Sequence, residues 1–263
     1  MAFANINGTV LHHEYLTEDE NAPVLLLINS LGTDFRIWLP LLDELTEEWS
    51  ILLYDKRGHG LSDAGPLAHT IDDHADDLIG LARHLGIRKA TICGLSVGGL
   101  IAQAVYLKKP DLVQKIVLSN TAHQIGTAEV WNGRIAAVEA DGVAPIPDNV
   151  LERWFTPDFH ERRKADLAGY RNMLVRQDAK GYAATCGAIR DADFTASVSR
   201  IKVPVLCIAG EKDGSTPPDL VRKTASMIPG ARFELIEGSG HIPCVEQPAA
   251  MAELLENFIG ARE

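Results

Sequence analysis

The stretch TICGLSVGGL, Thr91 to Leu100, decides the fold. An apolar run ends in a serine fenced by Gly94 and Gly98 two residues to either side, with Gly99 behind. The run before it, ATICGL, reads as a buried strand. The run after it, GLIAQAVYLKK, has helical apolar spacing and stops before Pro110. Gly94-Leu95-Ser96-Val97-Gly98 is therefore G-x-S-x-G on a strand–turn–helix, where small residues keep bulk away from the serine. The helix N-terminus supplies backbone N–H groups and positive potential. This context predicts that Ser96 is a nucleophile rather than a residue of a plain glycine-rich turn.

The neighbouring sequence repeats the same alternation. Asn7-Gly8 between two extended runs signals a hairpin. The runs 23–29 (PVLLLIN), 50–55 (SILLYD), 115–120 (KIVLSN) and 203–210 (VPVLCIAG) are near-continuous apolar strands, as expected where both sheet faces are covered. Trp38, Leu41, Leu42, Leu45 and Trp49 are at helical spacing, as are Ile71, Ala75, Leu78, Ile79, Ala82 and Leu85 ahead of Gly86. Helices are also predicted over 218–228 and 248–259, with the strand ARFELIEG between them. Such alternation predicts an α/β fold with a mostly parallel twisted sheet and helices on both faces. Residues 122–200 break the rhythm, being helix-compatible without strong strand runs. The expected organisation is a core from 1–121 and 201–263, interrupted by a helical cap at 122–200 over the carboxyl ends of the strands.

The chain has 263 residues, enough to bury roughly 75% of its unfolded surface without disulfides or metal. Its four cysteines, Cys93, Cys186, Cys207 and Cys244, lack metal-ligand spacing and are expected as buried free thiols. The net charge of −11 disfavours nucleic acid and anionic membranes as partners. No apolar run reaches the length of a membrane span and no secretory signal stands at the N-terminus, so a cytoplasmic location is expected.

A serine nucleophile needs a base, and the base an orienting acid. His241, in EGSGHIPC, follows the last predicted strand. Asp213, in GEKDGS, follows the one before, and Glu211 is a second candidate acid. The order Ser, Asp, His suits this kind of sheet. An oxyanion hole needs two backbone donors. Val97 N–H follows the nucleophile, and Leu31 N–H lies in the loop Asn29-Ser30-Leu31-Gly32, where Asn29 and Ser30 either shape the turn or line the pocket.

Together with the segment YDKRGHGLSD at 54–63, these motifs resemble the α/β-hydrolase superfamily. Within it the chain resembles the 3-oxoadipate enol-lactonases, through NSLGTD at 29–34, CGLSVGG at 93–99, SNTAHQIGTAEVWNGRIAAV at 119–138, RWFTPDF at 153–159 and GYAATCGAIRDADF at 181–194. Asn29-Ser30 departs from the superfamily's usual His-Gly but matches this narrower group. The resemblance implies a small five-membered enol lactone carrying an acetate arm, opened to 3-oxoadipate in aromatic catabolism, with no cofactor and no metal. An anionic substrate conflicts with the protein's charge, so a cation is expected in the pocket. Trp131 and Arg134 share a helix face, Arg134 to meet the carboxylate and Trp131 to cover the ring. Trp154 is a further lining candidate, and Arg171, Arg176 and Arg190 compete for the carboxylate. Other readings of the same residues are a carboxylesterase, a carbon–carbon bond hydrolase, a perhydrolase, or a ligand receptor on a hydrolase fold.

Overall fold

The structure, a computed structural model, describes residues 1–260 apart from 18, 20, 21 and 47. Eight strands form one sheet: β1 (Ala2–Ile6), β2 (Thr9–Leu16), β3 (Val24–Ile28), β4 (Ser50–Tyr54), β5 (Ala90–Leu95), β6 (Val113–Ser119), β7 (Val205–Gly210) and β8 (Arg232–Ile236). Their order across the sheet is β1-β2-β4-β3-β5-β6-β7-β8. The β1–β2 and β2–β4 pairs are antiparallel and every other pair is parallel. The hairpin signal is met, since Ile6 pairs with Thr9 and both Asn7 (φ 52°) and Gly8 (φ 80°) take the left-handed conformation a two-residue turn requires. The central strands β3 and β5 are buried along nearly their whole length, and apolar but for Thr91, because helices cover both sheet faces.

The helices are α1 (Leu39–Leu42), α2 (Ile71–His84), α3 (Val97–Lys108), α4 (Ala128–Asp141), α5 (Pro147–Trp154), α6 (Pro157–Arg162), α7 (Lys164–Val175), α8 (Ala179–Asp191), α9 (Pro218–Met227), α10 (Pro243–Glu246) and α11 (Pro248–Gly260). Thr70 opens α2 with a reciprocal capping box to Asp73, so two otherwise orphaned N–H groups are satisfied. The helix expected across 38–49 is much shorter: one 3₁₀ turn over Phe35–Trp38 and the single turn α1. The Thr46 N–H is taken by the Glu256 carboxylate of α11, and Leu45 and Trp49 pack on the core without helical backbone. All four cysteines are buried and free. Helices α4 to α8 all lie between β6 and β7, within the stretch whose sequence breaks the alternation.

Close packing fixes the turn from β5 into α3. A Cβ added at Gly98 would collide with the Ile28 carbonyl on β3, and one at Gly94 with the Gly98 backbone. Neither obstacle is a side chain that can move aside. Gly98→Ala should therefore cost about 1–3 kcal/mol or more of unfolding free energy. Gly133→Ala, on a face of α4 with nothing nearby, should be neutral or stabilising by up to about 1 kcal/mol. Urea midpoints of the two variants, moving in opposite directions, check the assignment.

Candidate active site

Ser96 sits between β5 and α3 with φ 58° and ψ −118°, a conformation that a non-glycine residue holds only when its surroundings impose it. Its N–H donates to the Ser119 carbonyl at 3.0 Å, and its own carbonyl accepts from Gly99 N–H at 2.9 Å and the Thr121 hydroxyl at 2.6 Å. The side chain is thereby turned away from the sheet.

His241 and Asp213 lie on the loops after β8 and β7. The His241 Nδ1 hydrogen bonds Asp213 Oδ2 at 2.8 Å, and both residues are buried. Asp213 is held on every side. Its Oδ1 accepts the backbone N–H groups of Ser215 (2.7 Å) and Thr216 (3.0 Å), and its Oδ2 accepts the Thr216 hydroxyl (2.7 Å) and Asn120 Nδ2 (2.8 Å). Burial works to raise this carboxyl's pKa. The His241 charge and hydrogen bond, with those from Thr216 and Asn120, overcome it and hold the pKa below the ordinary value. Glu211, the other candidate acid, is exposed and turned to Gly238 N–H and Lys212. Asn120 was not singled out by sequence. Its backbone is left-handed (φ 47°), and its amide also donates to the Gly240 carbonyl at 3.2 Å, tying the end of β6 to both loops. An asparagine closing an apolar strand, as in KIVLSN, is the signal that could have found it.

A cavity of about 100 Å³ joins the two halves of the chain. Ser30, Leu31, Ser96 and His241 line it from the sheet side, and Trp131, Arg134, Trp154 and Tyr182 from α4, α5 and α8. Among the described residues, the N–H groups of Leu31 and Val97 have no hydrogen-bond acceptor. Asn29 is buried and donates to the Thr33 carbonyl and hydroxyl, so it shapes the turn, while Ser30 reaches the cavity. Trp131 donates to the Ile125 carbonyl at 2.6 Å. Arg134 Nη1 donates to the Tyr182 hydroxyl at 3.1 Å, and no carboxylate pairs with it among the described residues. Arg153 also lines the cavity. The three competing arginines do not: Arg171 faces Asp148 at 3.5 Å, Arg176 borders a separate surface depression with Arg36, and Arg190 forks onto Asp191 at 2.7 Å.

The Trp154 carbonyl accepts His241 N–H at 2.8 Å. Beside it, Glu246 accepts Thr156 N–H (2.9 Å) and hydroxyl on one oxygen and Gly240 N–H (2.7 Å) on the other. The segment after α5 is thus bonded directly to the histidine loop.

The segment YDKRGHGLSD is scaffolding for this site. Asp55 accepts from His12 Nδ1, Phe35 N–H and Leu61 N–H, and Arg57 forms a buried fork with Asp77 at 2.6 and 2.7 Å.

The chain matches the family described as alpha/beta hydrolase fold over residues 23–248. It belongs to the α/β-hydrolase family. It is 36% identical over 89% of its length to 3-oxoadipate enol-lactonase 2 of Acinetobacter baylyi, covering 87% of that protein. It is 28% identical over 96% of its length to a protein of Pseudomonas savastanoi named as the carbamate hydrolase RutD, covering all of that chain. Among solved structures, the enol-lactonase of Burkholderia xenovorans superposes with a TM-score of 0.96 at 38% identity, over 99% of this chain and 100% of that one. The resemblance read from the sequence is met, and the likeness to the enol-lactonases places this α/β-hydrolase among the carboxylic ester hydrolases. No helix among the described residues is long and apolar enough to cross a membrane.

Lys56 carries a testable consequence of burial. It is 1% exposed, and desolvation, partly offset by the charges of Asp55 and Asp34, pushes its pKa down to about 7. An unfolded lysine keeps its proton to about pH 10.4, so between these values the unfolded state binds more protons and this group's contribution to stability rises with pH. The buried thiols, whose pKa values are raised by burial, act with the opposite sign above about pH 8.5. The informative quantity is therefore the difference between Lys56→Met and the parent. The variant should be more stable near pH 7, with its lead shrinking by several kcal/mol, on the order of 5 at most, by pH 10. Denaturant titrations at pH 7, 8.5 and 10 measure it.

Proposed function

We propose that the protein opens 3-oxoadipate enol-lactone to 3-oxoadipate through an acyl-enzyme. The observation that carries this reading is the shared cavity. A serine on a strained turn and a histidine bonded to a buried, ionised aspartate open into the same space as an arginine that has no carboxylate partner among the described residues. The similarity to enol-lactonases in sequence and structure supports the substrate.

In this reading Ser96 Oγ attacks the ring carbonyl carbon while His241 takes its proton, and Asp213 stabilises the imidazolium. The oxyanion rests on the N–H groups of Leu31 and Val97. Collapse breaks the ring C–O bond. The leaving enol oxygen stays tethered to the acyl chain, receives the proton from His241 and tautomerises to the ketone. A water then gives its proton to His241 and attacks the ester carbonyl, and Ser96 recovers its proton as the diacid leaves. Arg134 holds the acetate arm, and Trp131 and Trp154 cover the ring. The partner is a small anionic lactone, and no nucleic acid or membrane is involved. The chemistry asks for no cofactor, and a cytoplasmic location suits it.

Ser96→Ala and His241→Ala should each lower kcat on the enol lactone by a factor on the order of 10⁶, with little further loss when combined. Asp213→Asn should be damaging but less so, and Glu211→Gln should leave kcat within about twofold, because Glu211 is exposed and bonded to Gly238 and Lys212 rather than to His241. Steady-state assays of the four single variants and the Ser96–His241 double variant test the roles. A single Ser96 or His241 change within tenfold of the parent would remove that residue from the mechanism.

The charge conflict gives a second test. An arginine–carboxylate pair is bidentate and charge-assisted, and truncating one partner of such a buried pair costs roughly 2–4 kcal/mol. Arg134→Met should therefore lose about 30- to 1000-fold in kcat/KM on the carboxylate-bearing lactone. It should lose little on a neutral ester of similar size. Equal losses on both substrates would make Arg134 a support of the helices above the site. No loss on either would transfer the role to Arg153.

A further inference from the structure

Lys56, two residues past the end of β4, is a buried amine that keeps its charge up to about pH 7 and has no carboxylate in salt-bridge range among the described residues. Its neighbours Asp55 and Asp34 are committed elsewhere, Asp55 to His12 and two backbone N–H groups and Asp34 to Arg36. Among the described residues, the ammonium's one hydrogen bond is to the Ser30 carbonyl, at 2.6 Å. Burying a charge this way weakens a fold, and an apolar side chain of similar length would serve packing better. Stability gives no reason for a lysine here.

The acceptor supplies a reason. The Ser30 carbonyl and the Leu31 N–H are the two ends of a single planar peptide group. That carbonyl also accepts the Thr33 hydroxyl at 2.9 Å and Thr33 N–H at 3.4 Å, so three donors converge on its oxygen. At the other end the Leu31 N–H is free and its residue lines the cavity beside Ser96. Positive charge at the oxygen draws electron density from the nitrogen, making the N–H a stronger donor, and hydrogen bonds chained through one peptide reinforce each other.

We propose that Lys56 is a positioning residue for the oxyanion hole: it orients and polarises the Ser30–Leu31 peptide so that the Leu31 N–H binds developing negative charge more strongly. The proposal rests on the serine-hydrolase reading above and adds to it a buried residue that does not line the cavity.

The effect is confined to the charge-developing state, which separates it from a packing role. Removing a whole oxyanion donor costs about 10²–10³ in kcat, and weakening one should cost a fraction of that, about tenfold. The test compares the parent, Lys56→Met and Lys56→Gln on p-nitrophenyl acetate, with a trifluoromethyl ketone that adds to a serine as a tetrahedral oxyanion, and with thermal midpoints at pH 7. Lys56→Met should lose about tenfold in kcat and the same factor in ketone affinity, with KM within about threefold and a midpoint at or above the parent's. Lys56→Gln, which keeps an N–H donor without the charge, should fall between the two and stands in if the methionine variant does not fold. Unchanged kcat and ketone affinity in a folded variant would overturn the proposal. So would a loss of kcat with a lowered midpoint and unchanged ketone affinity, since that is a packing defect. If the parent itself does not bind the ketone, the serine-hydrolase reading falls and this proposal with it. If the parent binds and the variants bind equally well, only the role of Lys56 falls.

Discussion

The contact on which the site depends is the one between the backbone of α3's first turn and the backbone of β3. Gly98 lies so near the Ile28 carbonyl, and Gly94 so near Gly98, that the chain can leave β5 and enter α3 only through a residue with positive φ. That residue is Ser96, and its strain is held by close packing in the buried middle of the sheet. The same contact brings the carboxyl end of β3, with Ser30 and Leu31, alongside the serine. One backbone packing event thus fixes the proposed nucleophile and the loop proposed to stabilise its product charge.

Electrostatics is arranged in two layers around this frame. The protein as a whole is acidic, with a net charge of −11. Immediately around the cavity the placement is different: Arg134 and Arg153 line it, and Lys56 stands behind one wall. The nearest buried acid, Asp213, has its oxygens filled by four donors besides histidine. Its charge is spent on orienting His241 rather than projected into the cavity. Short-range terms in a low-dielectric pocket outweigh a surface field that salt screens within about 10 Å.

The sheet, the serine turn and the loops bearing Asp213 and His241 were legible in the sequence because each rests on local pattern: apolar run, turn residue, helix. The helix expected over 38–49 failed because Leu45 and Trp49 satisfy an apolar spacing by packing from irregular backbone, with Thr46 bonded to α11 rather than to its own helix. Asn120 and Lys56 were not legible for a different reason. Their partners, Asp213 and Ser30, lie 93 and 26 residues away, so even Asn120, which stands out at the end of an apolar strand, gives no local sign of what it bonds. Among the arginines, sequence put Arg134 first but could not exclude Arg171, Arg176 and Arg190. Salt bridges formed across helices, such as Arg171 with Asp148, separate those on the outer surface from the one at the cavity.

The bond from His241 N–H to the Trp154 carbonyl, with Glu246 bridging Thr156 and Gly240, means that the roof of the cavity is wired to the machinery beneath it. A roof of this kind is not a door. Swinging it outward would break the bond that seats the His241 backbone, and the exposed Val130 marks where the cavity lining meets solvent. The same wiring restricts how such a protein can diversify. The cavity-facing side chains of α4 can change without touching these bonds, whereas the few residues around Trp154 and Thr156 must keep their backbone path.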